Sequence, residues 1–227
     1  MNGQVVGADL PLADTSDGYI ACLMLPSSDS LDRRHWNTYV TERMEALDRA
    51  GVSGPSVVSI GIVPSSYAPC ACEPRTALAL FTTYISLESP LRCLTCFRPV
   101  PLYQVPPTRS GEYGDIISWQ SNYQACDTLQ MNCTVGERFG TRQISALDSS
   151  LTKQGLQICA AIAAATTLPT YYYLCRGSGR SWEAERARMC PSCAGAWLLA
   201  EPLHERFDFQ CERCHLLSNV AWSVRLQ

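Results

Sequence analysis

The sequence predicts an α+β fold: a small N-terminal α+β unit, a mixed middle region with one alanine-rich helix, and a C-terminal β-hairpin with paired cysteines. Short apolar runs rich in β-branched residues alternate with longer segments of helical periodicity. The C-terminal part combines alternating strand patterns with cysteine turns. The chain has 227 residues, of which 46% are hydrophobic, enough for a proper core and too many for a disordered chain.

The N-terminal unit, residues 1–98, is predicted to follow the order β-α-β-β. Its elements are a buried strand at 19–25, a helix from a cap within 28–30 to Ala50, and strands at 57–63 and 77–87. The helix carries an apolar stripe that is expected to face the core, formed by Trp36, Tyr39, Val40, Met44 and Leu47. The unit also contains the cysteines of a C-x-C and a C-x2-C pattern.

Residues 99–227 form the second predicted part. It begins with a loop rich in proline, glycine and tyrosine at 99–114, and the segment from Ile116 stays unassigned. Asp148 or Ser149 caps the alanine-rich helix, which ends before Pro169. Its apolar face carries Leu151, Gly155, Ile158, Ile162 and Ala165. The remaining elements are a strand at 171–174, a polar connector or charged helix at 177–188, and the hairpin at about 188–220.

Two cysteine pairs, Cys190 with Cys193 and Cys211 with Cys214, form the pattern C-x2-C-x17-C-x2-C. Each C-x2-C turn presents two thiolates on one side of an ion, and zinc prefers four such ligands in a tetrahedron. The residues between the pairs suffice for a hairpin that brings the second turn opposite the first. The pattern therefore predicts a zinc ribbon, with redox-active dithiols as the alternative.

A second group, Cys70, Cys72, Cys93 and Cys96, is less regular, a C-x-C followed by a C-x2-C. Four thiols at this spacing can chelate, so the chain is expected to hold one zinc ion and has the ligands for two. One alternative is that Cys93 and Cys96 are remnants of a site or serve another partner and that Cys70 and Cys72 are loop thiols. Another is that Cys126 and Cys133 supply ligands instead. The other cysteines, expected to be small apolar core residues, are Cys22, Cys159 and Cys175.

The residues do not predict catalysis. None of the three histidines has a carboxylate or thiol at a spacing that suggests an acid–base pair. His35 is placed on the polar side of the first helix, His204 is expected to be exposed in the hairpin, and His215 is an alternative ligand to Cys214. The motifs H-x-E, H-E-x-x-H, G-x-S-x-G and the P-loop are absent. We therefore expect a protein that is not an enzyme.

Charge and cysteine usage restrict the class of partner and the cellular compartment further. The formal net charge is −3, and residues 1–60 hold eight acids against four arginines, which argues against a general polyanion binder. The first residues do not form a secretory signal, and the apolar stretch at 156–168 is too short to cross a bilayer. We expect a cytoplasmic, reduced chain whose paired cysteines bind metal and do not form disulfides.

Several motifs near the cysteines resemble a family of bacterial zinc-ribbon-containing proteins described as candidate nucleic-acid binders. The residues that carry the resemblance are SPLRC at 89–93 with Cys96, VPLY at 100–103, YYYL at 171–174, CPSC at 190–193, and FDFQC at 207–211 with Cys214. The likeness covers roughly residues 85–227. Such ribbons usually have glycine directly after the first C-x2-C, where this chain has Ala194. The double cysteine motif is also similar, more loosely, to immunity proteins encoded beside bacterial toxins.

Two binding functions follow from these features. In the preferred one, the acidic N-terminal unit recognises and neutralises a basic protein partner such as a toxin, because complementary charge raises association rates. The acids expected to face outward from the first helix are Glu42, Glu45 and Asp48. In the alternative, arginines beside the ribbon bind nucleic acid with Trp182 or Trp197 as a stacking surface. Those arginines are Arg176, Arg180, Arg186 and Arg188.

Overall fold

The N-terminal unit contains a two-stranded hairpin and one helix of three turns. The computed structural model describes residues 3–6, 11–64, 66–108 and 112–225. The elements of the unit are β1 (Leu12–Thr15), β2 (Gly18–Ala21), a 3-10 helix (Arg33–His35) and α1 (Thr38–Arg49). The cap of α1 is Asn37, whose side chain accepts a hydrogen bond from the Val40 N–H, so the prediction of a cap within 28–30 was wrong.

Six further strands form one sheet. They are β3 (Leu78–Leu80), β4 (Leu91–Cys93), β5 (Thr170–Leu174), β6 (Leu198–Leu203), β7 (Phe207–Cys211) and β8 (Leu216–Ser218). Their order is β4-β3-β5-β8-β7-β6; β3, β5 and β8 are parallel, and the other neighbours are antiparallel. The α+β prediction is confirmed. This sheet takes strands from both sides of residue 98, where the sequence placed a boundary.

Three helices connect β4 to β5: α2 (Gly114–Asn132), α3 (Glu137–Ser145) and α4 (Ser150–Thr166). The helix α2 occupies the segment that the sequence left unassigned. Its helical period is masked in the sequence because polar residues surround its buried positions Ile116, Trp119 and Tyr123. Ser149 caps α4 as predicted and accepts a hydrogen bond from the Thr152 N–H. Two short helices follow, α5 (Trp182–Arg186) and α6 (Trp222–Arg225). None of the helices that the structure describes combines the length and apolar character needed to cross a membrane.

The helices cover one face of the sheet through close packing at Gly155. A Cβ atom at Gly155 would lie 2.1 Å from the Tyr172 ring, so only glycine lets α4 approach β5 this closely. Trp119 of α2 meets the edge of the same tyrosine, with ring centroids 5.9 Å apart. Tyr172 and Trp119 are fully buried, and this face therefore forms a tight helix-on-sheet core.

The opposite face of the sheet is covered by its own hairpin. Phe207, at the start of β7, lies 5.8 Å from Phe81, 5.4 Å from Tyr173 and 5.3 Å from Phe97 between ring centroids. Phe97 belongs to the loop after β4, which is at the other end of the strand order from β6. The sheet must therefore curl until the β6–β7 hairpin reaches the loop that follows β4.

Several predictions for the N-terminal unit were wrong. The segment 57–63 is not a strand, and β3 occupies only three residues of the predicted 77–87. The strand expected to be buried at 19–25 is the exposed β2. In the predicted apolar stripe, Trp36, Val40 and Met44 are only partly covered, and Tyr39 and Leu47 are exposed. An apolar pattern specifies a buried face only when another element covers it, and the described part of the chain covers this stripe only in part.

Candidate metal centres

The downstream cysteine group lies where β6, β7 and β8 meet. Cys211 ends β7, Cys214 precedes β8, and Cys190 and Cys193 lie in the turn before β6. The four sulfur atoms all lie within 4.8 Å of one another, and those of Cys193 and Cys211 are 3.6 Å apart. Zinc–sulfur bonds of about 2.3 Å require a tetrahedron with edges of about 3.8 Å, so the spacing fits one metal ion.

The upstream group has the same arrangement at the other edge of the sheet. Cys93 ends β4, Cys96 follows three residues later, and Cys70 and Cys72 approach from the segment before β3. All four sulfur atoms again lie within 4.8 Å of one another. The Cys70 N–H donates to the Pro99 carbonyl at 2.8 Å, which holds the C-x-C segment against the loop after β4. The structure thus brings together the four residues that the sequence grouped.

Each C-x2-C turn is followed by a residue in the left-handed region. The φ angles are 57° at Phe97, 54° at Ala194 and 50° at His215. In the first two turns the N–H of this residue donates to the carbonyl of the first cysteine, at 2.8 Å in both cases. This conformation favours glycine, which explains why glycine is usual at the position that Ala194 occupies. Ala194 adopts this left-handed conformation in spite of its Cβ atom.

The thiols of the downstream group differ in acidity. The Gly195 N–H, together with the neighbouring thiols and Arg213, lowers the pKa of Cys193 to about 6. Burial raises the pKa of Cys211 to about 12, and the other thiols of the group add to that shift. One thiolate therefore forms readily and opposes ionisation of its neighbours. A divalent cation removes this conflict because it stabilises all four thiolates at once.

The thiols of the upstream group also differ in acidity. Burial raises the pKa of Cys70, but the Cys72 N–H and the Arg75 side chain outweigh it and lower the pKa to about 7. The Cys96 thiol, with Cys70 as a second neighbour, raises the pKa of Cys72 to about 12. Arg75 also donates to the Gln104 side chain at 2.9 Å. The sequence analysis did not single out Arg75, which follows Cys72 by only three residues, and this proximity in the sequence is the signal that points to it.

Four sulfur donors with closed tetrahedral spacing fit zinc, and zinc bound in this way is structural. Cys70, Cys72, Cys93 and Cys96 would hold one ion, and Cys190, Cys193, Cys211 and Cys214 a second. A catalytic zinc site needs an open position for water or substrate, whereas four cysteines fill every position of a tetrahedron. Both groups are therefore suited to fastening chain segments together.

His204 connects the hairpin to the upstream centre. Its Nε2 lies 2.7 Å from the Leu94 carbonyl oxygen, within the turn formed by Cys93 and Cys96. Its ring stacks on Phe97, with centroids 5.1 Å apart and an interplanar angle of 21°. The prediction that His204 is exposed was wrong, because the curl of the sheet brings the hairpin tip to this turn. The strand β7 thus extends from the neighbourhood of one cysteine group to a ligand of the other.

The remaining cysteines and histidines lie outside both groups. Cys126 is buried in α2 and Cys133 is exposed at its end. Cys159 and Cys175 are buried as predicted, whereas Cys22 is exposed, so that prediction was wrong. His215 meets the edge of the Tyr171 ring and is not among the four ligand candidates. His35 lies in the 3-10 helix before α1, so its predicted place on the first helix was wrong; its ring centroid is 4.4 Å from that of Tyr103.

Two of the four arginines beside the ribbon pair with one buried acid. Glu185 of α5 is 2% exposed and accepts hydrogen bonds from Arg176 at 3.0 Å and 3.2 Å. Its other oxygen lies 3.0 Å from Nε of Arg188, which also lies against the Phe209 ring. Arg180 and Arg186 are exposed. The acids of α1, by contrast, are all exposed: Glu42, Glu45 and Asp48.

Comparison with other proteins places the chain in a family. An uncharacterized protein from Haemophilus influenzae strain Rd is 34% identical over 226 residues, which cover 98% of this chain and 87% of the relative. The chain belongs to the family of this protein. A second uncharacterized protein from the same strain is 41% identical over 144 residues, 63% of this chain and 71% of that relative. No solved structure matches the chain significantly.

Three family models match successive parts of the chain. Residues 72–175 match the domain of unknown function DUF2310, residues 179–224 match DUF8594, and residues 1–61 match DUF8589, both of which are also described as domains of unknown function. The model for 179–224 contains the whole downstream cysteine group. None of these descriptions names a zinc ribbon or toxin immunity, so both resemblances rest on the motifs.

Proposed function

We propose that the chain is a zinc-stabilised, non-catalytic binding protein whose acidic N-terminal unit recognises a basic protein partner. The observation that carries the proposal is the exposure of Glu42, Glu45 and Asp48 on a helix with no buried residue. α1 also carries Arg43 and Arg49, and Arg49 pairs loosely with Glu45 at 3.8 Å. The acidic surplus of residues 1–60 still gives the unit a negative field that attracts basic proteins.

The arginine positions favour this proposal over nucleic-acid binding. Residues 176–225 contain seven arginines and six acids, so the ribbon part is nearly neutral. Arg176 and Arg188 pair with Glu185, and Arg225 pairs with Asp208. Phosphate binding needs free cationic groups that can release counterions. The exposed arginines here are Arg180, Arg186 and Arg213, and Arg213 donates to the Cys193 carbonyl at 2.9 Å, so even with Trp182 they are too few for such a surface.

Neutralisation of a toxin is the specific form that we propose. Toxins that cleave or modify RNA carry basic surfaces to bind their substrate, and an acidic protein can cover such a surface. The two cysteine groups would supply rigidity and leave the N-terminal unit to make the contacts. The looser likeness to immunity proteins supports this form through the double cysteine motif alone.

Charge-neutralising variants test the proposal. The chain is tested by surface plasmon resonance against purified basic toxins, beginning with any encoded beside its gene, and against random duplex DNA and RNA. We expect binding to a toxin and negligible binding to either duplex near physiological salt. Replacing the three α1 acids (Glu42→Gln, Glu45→Gln, Asp48→Asn) should slow association with the toxin by about 3- to 30-fold.

A matched control removes the same charge elsewhere. Glu183→Gln, Glu201→Gln and Glu212→Gln change three exposed acids of the ribbon part and should leave the association rate nearly unchanged. Equal slowing by both triple variants would show a general effect of net charge and contradict recognition by α1. Tight, salt-sensitive duplex binding that is lost in Arg180→Gln with Arg186→Gln would establish the nucleic-acid alternative instead.

A further inference from the structure

The segment 57–63 exposes more apolar surface than its surroundings explain. Val58, Ile60 and Ile62 are 79%, 84% and 87% exposed. In an extended conformation side chains alternate, so these three would share one side and Val57 and Val63 would lie on the other. The sequence has no charged residue from Ala50 to Cys72. An uncharged, β-branched and exposed segment is a site for strand pairing unless another chain covers it.

The backbone of this segment is equally unpartnered. No backbone hydrogen bond joins residues 53–62 to any other part of the chain that the structure describes. Pro55 and Pro64 flank the segment, and proline is tolerated at strand ends but not in the interior of a ladder. Once residues 57–63 are extended, their free donors and acceptors form a row about seven residues long that another strand can pair with.

The order of the side chains is close to symmetric about Ile60. Read in both directions from Ile60, the neighbours are Ser59 and Gly61, then Val58 and Ile62, then Val57 and Val63. In an antiparallel pair of two identical segments centred on Ile60, small residues therefore face small ones and β-branched residues face β-branched ones. Directly opposed β-branched pairs stabilise a ladder, and this register brings no like charges together.

We propose that residues 57–63 pair with the same residues of a second copy of this chain, antiparallel and centred on Ile60. The symmetric pattern favours a second copy over a basic partner, because this segment has no charge with which to select one. The proposal does not rest on the partner proposed above, which would use the acids of α1. A homodimer with a two-fold axis through Ile60 is the closed arrangement that such pairing produces.

Two features of the unit bear on the stability of this pair. Two isolated strands are marginal in water, so the paired segments need apolar cover. Tyr19, Ile20 and Tyr39, elsewhere in residues 1–98, are 67%, 61% and 60% exposed, and the proposal requires apolar residues of this kind to pack on the pair. Gly61 has a φ of 148°, and pairing requires it to turn to the ordinary extended region, which glycine does at little cost.

Sedimentation equilibrium of the zinc-loaded chain tests the proposal. We expect a dimer to form as concentration rises through the micromolar range. Ile60→Lys places two like charges opposite each other on the axis and should weaken the dimer by at least about tenfold. Ile85→Lys makes the same change at a loop residue that is 70% exposed and should leave the dimer unchanged. A chain that stays monomeric throughout, or a dimer that Ile60→Lys leaves intact, overturns the proposal.

Cysteine crosslinking tests the register. In the proposed pair, Ile60→Cys brings two thiols directly opposite each other, within the range that a disulfide spans. Ser59→Cys faces residue 61 of the other copy, so its two thiols are too far apart. Mass spectrometry of peptides from the oxidised protein should find the 60–60 link and no 59–59 link. Equal crosslinking at both positions would overturn the register, and failure of toxin binding would affect neither result.

Discussion

Single residues decide how the cysteine turns close. Phe97, Ala194 and His215 each adopt a left-handed backbone directly after a C-x2-C turn, and none of them is glycine. A non-glycine residue in this region costs about 1–2 kcal/mol, because its Cβ crowds the following carbonyl. The turn tolerates that cost because it directs backbone N–H groups at the sulfurs. The Gly195 N–H, which lowers the pKa of Cys193, is one of them.

Ala194→Gly should stabilise the ribbon. Glycine removes the left-handed strain but adds flexibility to the unfolded chain, so we expect a net gain of about 0.5–1 kcal/mol in the free energy of unfolding. Chemical denaturation of the zinc-loaded protein measures it. Ala196→Gly is the control, since Ala196 does not have a positive φ and the change should be neutral or destabilising. A loss of stability in Ala194→Gly would contradict the role assigned to the strain.

At the scale of elements, one buried acid holds the short helix α5 in place. Five residues cannot form a stable helix alone, so its position depends on side-chain contacts. Glu185 supplies them through Arg176, Arg188 and the Ala221 N–H, which donates at 3.2 Å. The same contacts link α5 to the segment after β8. Two of the four arginines assigned to nucleic acid from the sequence, Arg176 and Arg188, thus fasten the ribbon to the core.

Glu185→Gln should destabilise the chain by about 2–4 kcal/mol, because it keeps the shape of the side chain but leaves Arg188 without its buried counter-charge. Thermal unfolding and hydrogen exchange at α5 measure the effect. The exposed Glu183 on the same helix provides the control, and Glu183→Gln should change the free energy of unfolding by less than about 0.5 kcal/mol. A stable Glu185→Gln variant would show that side-chain packing, and not the ion pairs, holds α5 in place.

For the whole molecule, the two cysteine groups act at opposite ends of the strand order. The upstream group joins the C-x-C segment to β4, and the downstream group joins β7 and β8 to the turn before β6. His204 and the aromatic residues around Phe207 bring these ends together. A sheet with such short strands would gain stability from a metal ion bound at each end, since metal binding adds directly to the folding free energy.

Elemental analysis should find two zinc ions per chain. Cys93→Ser and Cys190→Ser should each lose one ion, and Cys133→Ser, outside both groups, should keep both. Because thiols must lose their protons to bind metal, acidification should release zinc from both groups, and the protein should be most stable when they are fully ionised. A full complement of two ions in Cys190→Ser would show that the downstream group is not a metal site.

The sequence predicted the alanine-rich helix α4, because its cap Ser149 and the spacing of its apolar residues are local signals. It did not predict α2, whose buried residues are separated by polar ones that mask the period. It assigned a strand to 57–63, since β-branched residues favour extended structure whether or not a partner strand is available. Local propensity does not determine which of these segments is buried by packing against other elements.

The sequence by itself determined the downstream set of four cysteines, because ligand type and spacing are properties of the chain and a C-x2-C turn forms locally. For the upstream set it left alternatives open, and the structure grouped Cys70, Cys72, Cys93 and Cys96. Only the tertiary structure decided that the sheet joins strands from both sides of residue 98, and that Glu185 holds Arg176 and Arg188. It also decided that His204 meets the upstream turn. These contacts join residues distant in sequence or depend on burial, and burial arises only when the sheet curls and its hairpin folds over the aromatic face.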